Sequence, residues 1–218
     1  MSLSSKLHVY YCFETLSNYL NHYGNKSYYS DSDLIKNLPL DYSIKSEFPN
    51  DSYPLFVTWN LIDPHSSEEE ELRGCIGNFS PLSLHDGLKE YALISALQDT
   101  RFDPIDTEEL DQLSCCVSLL VKFELAEHYL DWEIGVHGIR LKLNINDRIY
   151  GATYLPEVAA EQGWTKEETI KSLLRKGGYK GKTDKEVLDK IKITRYQSHK
   201  SKASFKEYLD YVNKLTKN

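Results

Sequence analysis

The strongest constraint on the fold is residues 71–79, which read as a β-strand interrupted by two glycines. Gly74 and Gly77 lack the β-branched or aromatic side chains that stabilise strands, and their backbone entropy weakens the strand further. The chain is therefore predicted to bend, or to be approached closely by another segment, at both positions. Cys75 lies between the glycines and Arg73 directly precedes Gly74. This is the composition of a binding or catalytic site.

Hydrophobic periodicity elsewhere switches between the helical period of 3.6 and the strand period of two. Helices are predicted over about 8–22, 83–98, 155–164, 165–176 and 204–212, with a short helical turn opening at 107–110. Strands are predicted over 53–62, 71–79, 116–124, 139–146, 148–154 and 191–196, the first two forming a hairpin with an acidic tip read as solvated. The mixed order of helices and strands predicts the α+β class.

Composition limits the cellular location of the protein and the kinds of site that it can contain. The 218-residue chain has no apolar run near the roughly 18 residues that span a bilayer, and Met1–Lys6 lacks the core of a signal peptide. Its four cysteines show no CxxC spacing, which argues against a disulfide framework and a zinc site. We therefore expect reduced thiols, no metal, no membrane partner, and a location in the cytoplasm or nucleus.

Charge is distributed unevenly along the chain. Residues 166–218 carry 15 Lys and Arg against 7 Asp and Glu, which leaves 11 basic and 26 acidic residues for positions 1–165. Such an asymmetry is found in proteins that bind nucleic acids or phosphate groups. The alternative is that the lysines coat solvated helix faces, and the sequence contains no known nucleic-acid-binding pattern to exclude this alternative.

The segment 72–77, Leu-Arg-Gly-Cys-Ile-Gly, resembles the signature of the AMMECR domain family, named for the Alport syndrome, midface hypoplasia and elliptocytosis chromosomal region. Further similar segments are 95–97 with 101–102, 129–139, 155–164, 172–178 and 194–196. The resemblance covers about residues 8–212, leaving 1–7 and 213–218 as tails, and is closer to the eukaryotic than to the archaeal branch. Only the acidic hairpin tip at 66–70 and the short N-terminus depart from it.

The resemblance implies a single domain of two α+β lobes with mixed or antiparallel sheets and a cleft near the signature strand. It implies no settled reaction. An enzymatic role has been inferred for the family from its thiol motif and its gene-level association with radical-SAM and MEMO-type proteins. The core topology has been likened to nucleotide- and nucleic-acid-binding folds, and a fold by itself does not determine a function.

Cys75 is the main candidate catalytic residue. Beside Arg73 and near the N-terminus of the following helix, its thiol would be stabilised as a thiolate nucleophile. The alternative is a small buried thiol that fills the space between two glycines. His137, set off by glycines in a bend, is the best placed histidine for a general base, although lone histidines are more often structural.

Five further residues could belong to a binding site. Glu157 and Glu161 lie one helical turn apart and are followed by Trp164, an arrangement that could supply carboxylates and an aromatic wall. The alternative is an exposed helix face with the tryptophan in the core. Arg101 and Arg195 are expected either to bind an anion or to form an ion pair between the lobes.

Two functions of different class remain open. The first is a cysteine-dependent enzyme acting on a nucleotide, RNA or peptide, with Arg73, Gly74, Gly77 and backbone N–H groups holding an anionic part of the substrate. The second is a non-catalytic module that binds a protein or nucleic-acid partner. The sequence identifies no cofactor and does not decide whether the protein is an enzyme.

Overall fold

The computed structural model describes residues 5–24, 44–63 and 66–217, except the side chains of 66–69. The chain divides into two compact units, Met1–Leu119 with His199–Asn218, and Leu120–Ser198. The stretch between the predicted helix at 8–22 and the predicted strand at 53–62 lies largely outside the described residues.

Helices and strands are intermixed along the described chain. The helices are α1 (Lys6–Tyr23), α2 (Leu84–Leu97), α3 (Pro156–Glu161), α4 (Lys166–Lys176), α5 (Lys185–Asp189) and α6 (Phe205–Leu215), with 3-10 turns at Ile44–Glu47 and Thr107–Gln112. The strands are β1 (Ser52–Asp63), β2 (Ser66–Ser83), β3 (Leu113–Leu125), β4 (Gly138–Ile145), β5 (Arg148–Tyr154) and β6 (Ile191–Ser204). The α+β class is thereby confirmed.

In the first unit, β1 pairs antiparallel with β2 on one side and with β3 on the other. The strand order makes β2 an edge strand. Side chains of β1 alternate between the two faces of the sheet. Leu55, Val57 and Trp59 are fully buried on one face, whereas Thr58 and Asn60 on the other face are only half-buried. The predicted hairpin of the first two strands is present, and β1 lies between β2 and β3.

The core of the first unit packs α1 and α2 against the buried face of β1. Trp59 contacts Phe13 of α1 with ring centroids 5.1 Å apart, and its indole N–H donates to the carbonyl of Ala92 in α2 at 3.0 Å. Cys12 and Cys115 are both fully buried in this core. The hydrogen bond allows a large indole to be buried without leaving its polar atom unpaired.

The second unit contains the hairpin of β4 and β5, with β6 pairing antiparallel on the other side of β4. Asn146 and Asp147 form the hairpin turn at φ values of 50° and 56°, the conformation that a two-residue primed turn requires. Its core contains Leu141, Leu143 and Ile193 from the strands together with Leu173 from α4. A capping box of Thr165 and Glu168 begins α4, the helix predicted over 165–176.

Several elements are longer than predicted. Strand β2 runs from Ser66 to Ser83 and β6 from Ile191 to Ser204, because pairing with neighbouring strands extends them beyond their hydrophobic cores. Helix α5 lies between the helix predicted over 165–176 and the strand predicted over 191–196, where no helix is predicted. Glu70, predicted to be solvated at the hairpin tip, accepts a hydrogen bond from Asn60 and forms an ion pair with Lys202.

Within the described residues, every helix is too short or too polar to cross a lipid bilayer.

Candidate functional site

Cys75 belongs to a row of three side chains that crosses the sheet of the first unit. Thr58 of β1 is directly opposite Cys75 of β2 and, on its other side, Cys116 of β3. Directly opposed residues project from the same face of a sheet, so the row lies on the face turned away from the Trp59 core. The Thr58 hydroxyl donates a hydrogen bond to the Cys75 sulfur at 3.1 Å. Cys75 and Cys116 are both half-buried and lie two strands apart, too far to form a disulfide.

The backbone of Cys75 is bound by an ion pair formed between Asp99 and Arg101. The Cys75 N–H donates to Asp99 Oδ2 at 2.9 Å, and Arg101 Nη2 donates to the Cys75 carbonyl at 3.2 Å. Arg101 also makes two hydrogen bonds to the Asp99 carboxylate, at 2.8 and 2.6 Å. β2 is an edge strand among the described strands, so no described strand pairs with these outward backbone groups. The ion pair takes the place of a strand at this position.

Asp99 is charged at all physiological pH values although it is only 8% exposed. Hydrogen bonds from Arg101, and then from the backbone N–H groups of Cys75 and Arg101, lower the pKa of its carboxyl group to about 2, against the opposing effect of burial. Arg101 has a raised pKa, mainly because of its hydrogen bond to Asp99 and also because of the nearby Cys75 sulfur. The interaction is therefore a charge-assisted pair, which is stronger than a neutral hydrogen bond.

A second arginine–carboxylate pair lies beside the first. Arg73 binds both oxygens of Glu109, at 2.6 and 3.0 Å, and donates to the Asp103 carbonyl at 2.5 Å. Glu109 also accepts from the N–H of Asp106, which begins the 3-10 turn. The register of β1 and β2 shifts between Trp59 and Asn60, next to Arg73. This irregularity directs Arg73 to the 3-10 turn and joins that turn to β2.

The two arginines line an open hollow of about 500 Å³ together with Thr100, Phe102 and Asp103. The Arg101 side chain is 54% exposed and lies over the Phe102 ring at 5.3 Å. Arg73, in contrast, is only 12% exposed and is held by three hydrogen bonds. Arg101 is therefore the cation of this hollow that a solvent-borne anion could contact.

Both glycines of the signature lie where another backbone approaches closely. A Cβ atom on Gly74 would lie 2.0 Å from the carbonyl oxygen of Ser95 in α2. A Cβ on Gly77 would lie 2.3 Å from the Leu55 carbonyl oxygen and equally close to the Phe56 ring. Neither glycine has a positive φ, so close approach rather than a bend accounts for them.

Cys75 lies near the C-terminal end of α2, not near its N-terminus as the sequence suggested. Gly74 packs on Ser95, in the last turn of α2, and Cys75 bonds to Asp99 just beyond that helix. The helix begins at Leu84, after β2 has run eight residues past Cys75. The C-terminal end of a helix dipole is negative and disfavours a thiolate. Among the described contacts, those with Thr58 and Arg101 favour a thiolate.

His137 closes a turn in the second unit. Its Nδ1 accepts a hydrogen bond from the Glu133 N–H at 3.0 Å, and its own backbone N–H donates to the Glu133 carbonyl at 2.9 Å. Gly135, between them, has a φ of 79°, which favours glycine. These contacts give His137 a structural role, and its predicted role as a general base stays a prediction.

Glu157, Glu161 and Trp164 lie around the short helix α3 of the second unit. Glu157 is half-buried and Glu161 is exposed. Trp164 is half-buried and its ring contacts Tyr154 at a centroid distance of 5.8 Å. A binding role for the three residues stays a prediction.

Arg195 forms ion pairs with Glu124 and Asp131, at 3.1 and 2.7 Å. All three residues belong to the second unit, and Arg101 likewise pairs with Asp99 inside the first. The expectation of an ion pair is met at both arginines, whereas its proposed position between the lobes is wrong. Adjacent to Arg195, the Tyr196 hydroxyl donates to the Tyr154 carbonyl at 2.9 Å, and its ring would collide with any Cβ on Gly138.

Sequence reasoning missed Thr58 and Asp99, the two residues that contact the Cys75 thiol and amide. Thr58 is a polar residue that alternates with Val57 and Trp59, a signal that it faces away from the core. Its partner depends on the register between strands, which the sequence does not give. Asp99 lies two residues before Arg101, but its reach back to β2 depends on how α2 packs.

Among the described residues, no group of three or more His, Cys, Asp or Glu side chains is arranged to hold a metal ion.

The comparisons with known proteins agree on one family. A family model described as AMMECR1 matches residues 9–201. An uncharacterised protein of Arabidopsis thaliana is 44% identical over 204 residues, 93% of this chain and 86% of the relative. An uncharacterised protein of Schizosaccharomyces pombe is 36% identical over 213 residues, 98% and 100% of the two chains. The crystal structure of an uncharacterised protein from Pyrococcus horikoshii shares the fold, with a TM-score of 0.64, 24% identity, and coverage of 93% and 94%.

The low pKa of Asp99 predicts an acid-dependent loss of stability. A carboxyl group whose pKa is lower when folded stabilises the protein above its unfolded pKa of 3.8, and this contribution disappears as the pH falls toward 2. Between pH 5 and pH 2 the free energy of unfolding should fall by about 2 kcal/mol more in the wild type than in Asp99→Asn. Urea unfolding at several pH values measures the difference, and parallel curves for the two proteins would refute the assignment.

The close packing of Gly74 predicts that Gly74→Ala destabilises the first unit. The added methyl would force β2 away from the Ser95 carbonyl, at a cost of about 1–3 kcal/mol or more. Gly151→Ala is the matched control, because its Cβ would come no closer than 3.4 Å to another atom. Thermal or urea unfolding should show a large loss for the first variant and a small change for the second; equal effects would contradict the account.

Proposed function

Because the chain belongs to the AMMECR1 family, whose relatives reported above are described only as uncharacterised, we propose its function from the geometry of the Cys75 site. We propose that Cys75 is the nucleophile of a cysteine-dependent enzyme whose substrate is a nucleotide, an RNA or a peptide. The single observation that carries the proposal is the hydrogen bond from the Thr58 hydroxyl to the Cys75 sulfur.

A hydrogen bond donated to sulfur favours the thiolate over the thiol, and the thiolate is the reactive form. The Arg101 guanidinium adds a positive charge close to the same sulfur. These two groups oppose the negative end of α2 and the carboxylate of Asp99, which is itself neutralised by Arg101. The sum of these effects supports a Cys75 thiol that is more reactive than the thiol of an ordinary surface cysteine.

The rigid support of Cys75 fits a catalytic residue. Both backbone groups of Cys75 are held by charged side chains, and Gly74 packs directly on α2. A nucleophile fixed in this way attacks with little loss of conformational freedom. In the proposed step the sulfur forms a bond to an electrophilic carbon or phosphorus atom of the substrate, and the leaving group departs with the bonding electrons.

The adjacent hollow is the proposed binding place for an anionic part of the substrate. Arg101 is the exposed cation there, and Phe102 provides an apolar surface beneath it. A nucleotide phosphate or a peptide carboxylate would bind Arg101 through guanidinium donors that Asp99 does not occupy. Arg73 would act indirectly, by fixing the wall of the hollow through Glu109.

The second candidate function is a non-catalytic binding module. Its supporting observation is that Arg73 and Arg101 are both engaged by carboxylates, as in a purely structural network. Cys75 would then be a small side chain placed where little space is left by its neighbours. The two candidates differ in the reactivity that they predict for the thiol.

For the cellular location, we propose the cytoplasm or nucleus. The proposal rests on the four cysteines, Cys12, Cys75, Cys115 and Cys116, none of which forms a disulfide among the described residues. Reduced cysteines are typical of these compartments.

Alkylation of the intact protein tests the enzyme proposal, and Cys116 provides an internal reference. Cys116 is half-buried like Cys75 and lies in the same row beside Thr58. With limiting iodoacetamide at pH 7, mass spectrometry should show Cys75 modified several-fold faster than Cys116. Thr58→Val, which keeps the shape but removes the donor, should reduce that ratio. Equal rates in the wild type, or a ratio unchanged in Thr58→Val, would favour the non-catalytic module.

A further inference from the structure

A hollow of about 630 Å³ in the second unit is lined by three basic side chains. Lys171 and Arg175 lie one helical turn apart on α4, and Lys180 belongs to the loop that follows it. The buried Leu174 lies at the hollow, between the two basic residues of the helix. This basic hollow is separate from the Cys75 site, which belongs to the first unit.

The end of α4 determines the position of the loop. Gly178 adopts a φ of 88°, and the N–H of Tyr179 donates to the Leu174 carbonyl at 2.9 Å, which turns the chain back along the helix. Tyr179 is then held by ring contact with Tyr150 at 5.3 Å and by its hydroxyl, which donates to the Lys182 carbonyl. Lys180, which adjoins Tyr179, is thereby placed on a fixed loop beside the exposed side of the helix.

The positive charge of the basic hollow is not neutralised within the described part of the chain. Its lining contains no carboxylate, and Lys171, Arg175 and Lys180 form no ion pair with any described residue. The acids that flank it in sequence, Glu168 and Asp184, accept hydrogen bonds at the starts of α4 and α5. The pKa of Glu168 is lowered mainly by its hydrogen bonds with Thr165, and less by the charge of Lys171. Among the described residues, neither Glu168 nor Glu167, which lies one helical turn before Lys171, forms an ion pair with the lining of the hollow.

The basic surface extends past the hollow itself. Residues 171–185 contain six Lys and Arg and a single acid, Asp184. A single small phosphate would engage only the lining, whereas a chain of phosphates would also engage the neighbouring lysines. The exposed large hydrophobic residues of the described chain all lie outside 171–185. A protein partner would need apolar contacts at the centre of its interface, so the composition favours a partner recognised through charge alone.

We propose that the basic hollow binds the phosphodiester backbone of a nucleic acid. Lysine and arginine contacts to phosphates release counterions, which makes such binding strongly dependent on salt. For three phosphate contacts to a single strand, the logarithm of the binding constant should fall with the logarithm of salt concentration at a slope of about −2. This inference goes beyond the proposed function and does not depend on Cys75.

Binding of a fluorescein-labelled, mixed-sequence RNA oligonucleotide to the full chain, measured by anisotropy over a salt series, tests the proposal. The triple variant Lys171→Gln, Arg175→Gln and Lys180→Gln should lose most of the binding and most of the salt slope. The matched control, Lys206→Gln, Lys214→Gln and Lys217→Gln, removes the same charge from exposed positions in the first unit and should bind as the wild type does. Circular dichroism melting checks that each variant folds.

Three outcomes would overturn the proposal. The first is equal RNA binding by the two triple variants, which would show that binding depends on the net charge of the protein and not on the basic hollow. The second is competition by polyglutamate as effective as that by unlabelled RNA, which would indicate an acidic protein partner. The third is displacement of the RNA by ATP or inorganic phosphate at an equal concentration of phosphate groups, which would indicate a small phosphate ligand. Alkylation of Cys75 is unaffected by any of these results, so the two proposals fail separately.

Discussion

The ion pair between Asp99 and Arg101 is the interaction on which the Cys75 site depends. An edge strand exposes backbone N–H and C=O groups that would otherwise be left to water or to another chain. Here the Asp99 carboxylate accepts from the amide of Cys75 and the Arg101 guanidinium donates to its carbonyl, so the outer edge of β2 is held where no described strand pairs with it. Because the two charged groups also bind each other, the loss of either one would release both backbone groups of Cys75.

The remaining features of the site depend on this fixed backbone. Gly74 allows β2 to lie directly against the last turn of α2, which brings Asp99 within reach. The register with β1 then sets Thr58 opposite Cys75, so that a hydroxyl hydrogen bond reaches the sulfur. A side chain on Gly74 would disturb all of these contacts together. Close packing therefore requires glycine at both positions of the signature. The polar contacts of Cys75 are the ones that can change the reactivity of its thiol.

Local sequence signals predicted much of the fold. Hydrophobic periodicity predicts the strand at 139–146 and the helix at 165–176. Both patterns depend on a few neighbouring residues, and the structure contains both elements. The lengths of β2 and β6 were underestimated because pairing between distant segments determines where they end. Local sequence patterns therefore predict that an element forms more accurately than they predict where it ends.

The site was predicted less completely, because its contacts join segments far apart in sequence. Cys75, Arg73 and Arg101 were identified from their unusual context, whereas Asp99 and Thr58 became visible only through packing and register. The expected helix N-terminus was wrong because β2 continues to Ser83 before α2 begins, which places the opposite end of the helix near Cys75. The family signature contains Cys75, but it does not indicate which residues contact the thiol.

Hydrogen exchange at the Cys75 amide tests most directly whether the Asp99–Arg101 ion pair holds the segment of β2 that contains Cys75. NMR exchange rates should show this edge-strand amide protected in the wild type, because it donates to Asp99. In Asp99→Ala the rate at Cys75 should rise by about tenfold, the equivalent of one hydrogen bond, while the amide of Val57 in the core of the sheet stays protected. A Cys75 amide that exchanges as fast in the wild type as in Asp99→Ala would contradict the account.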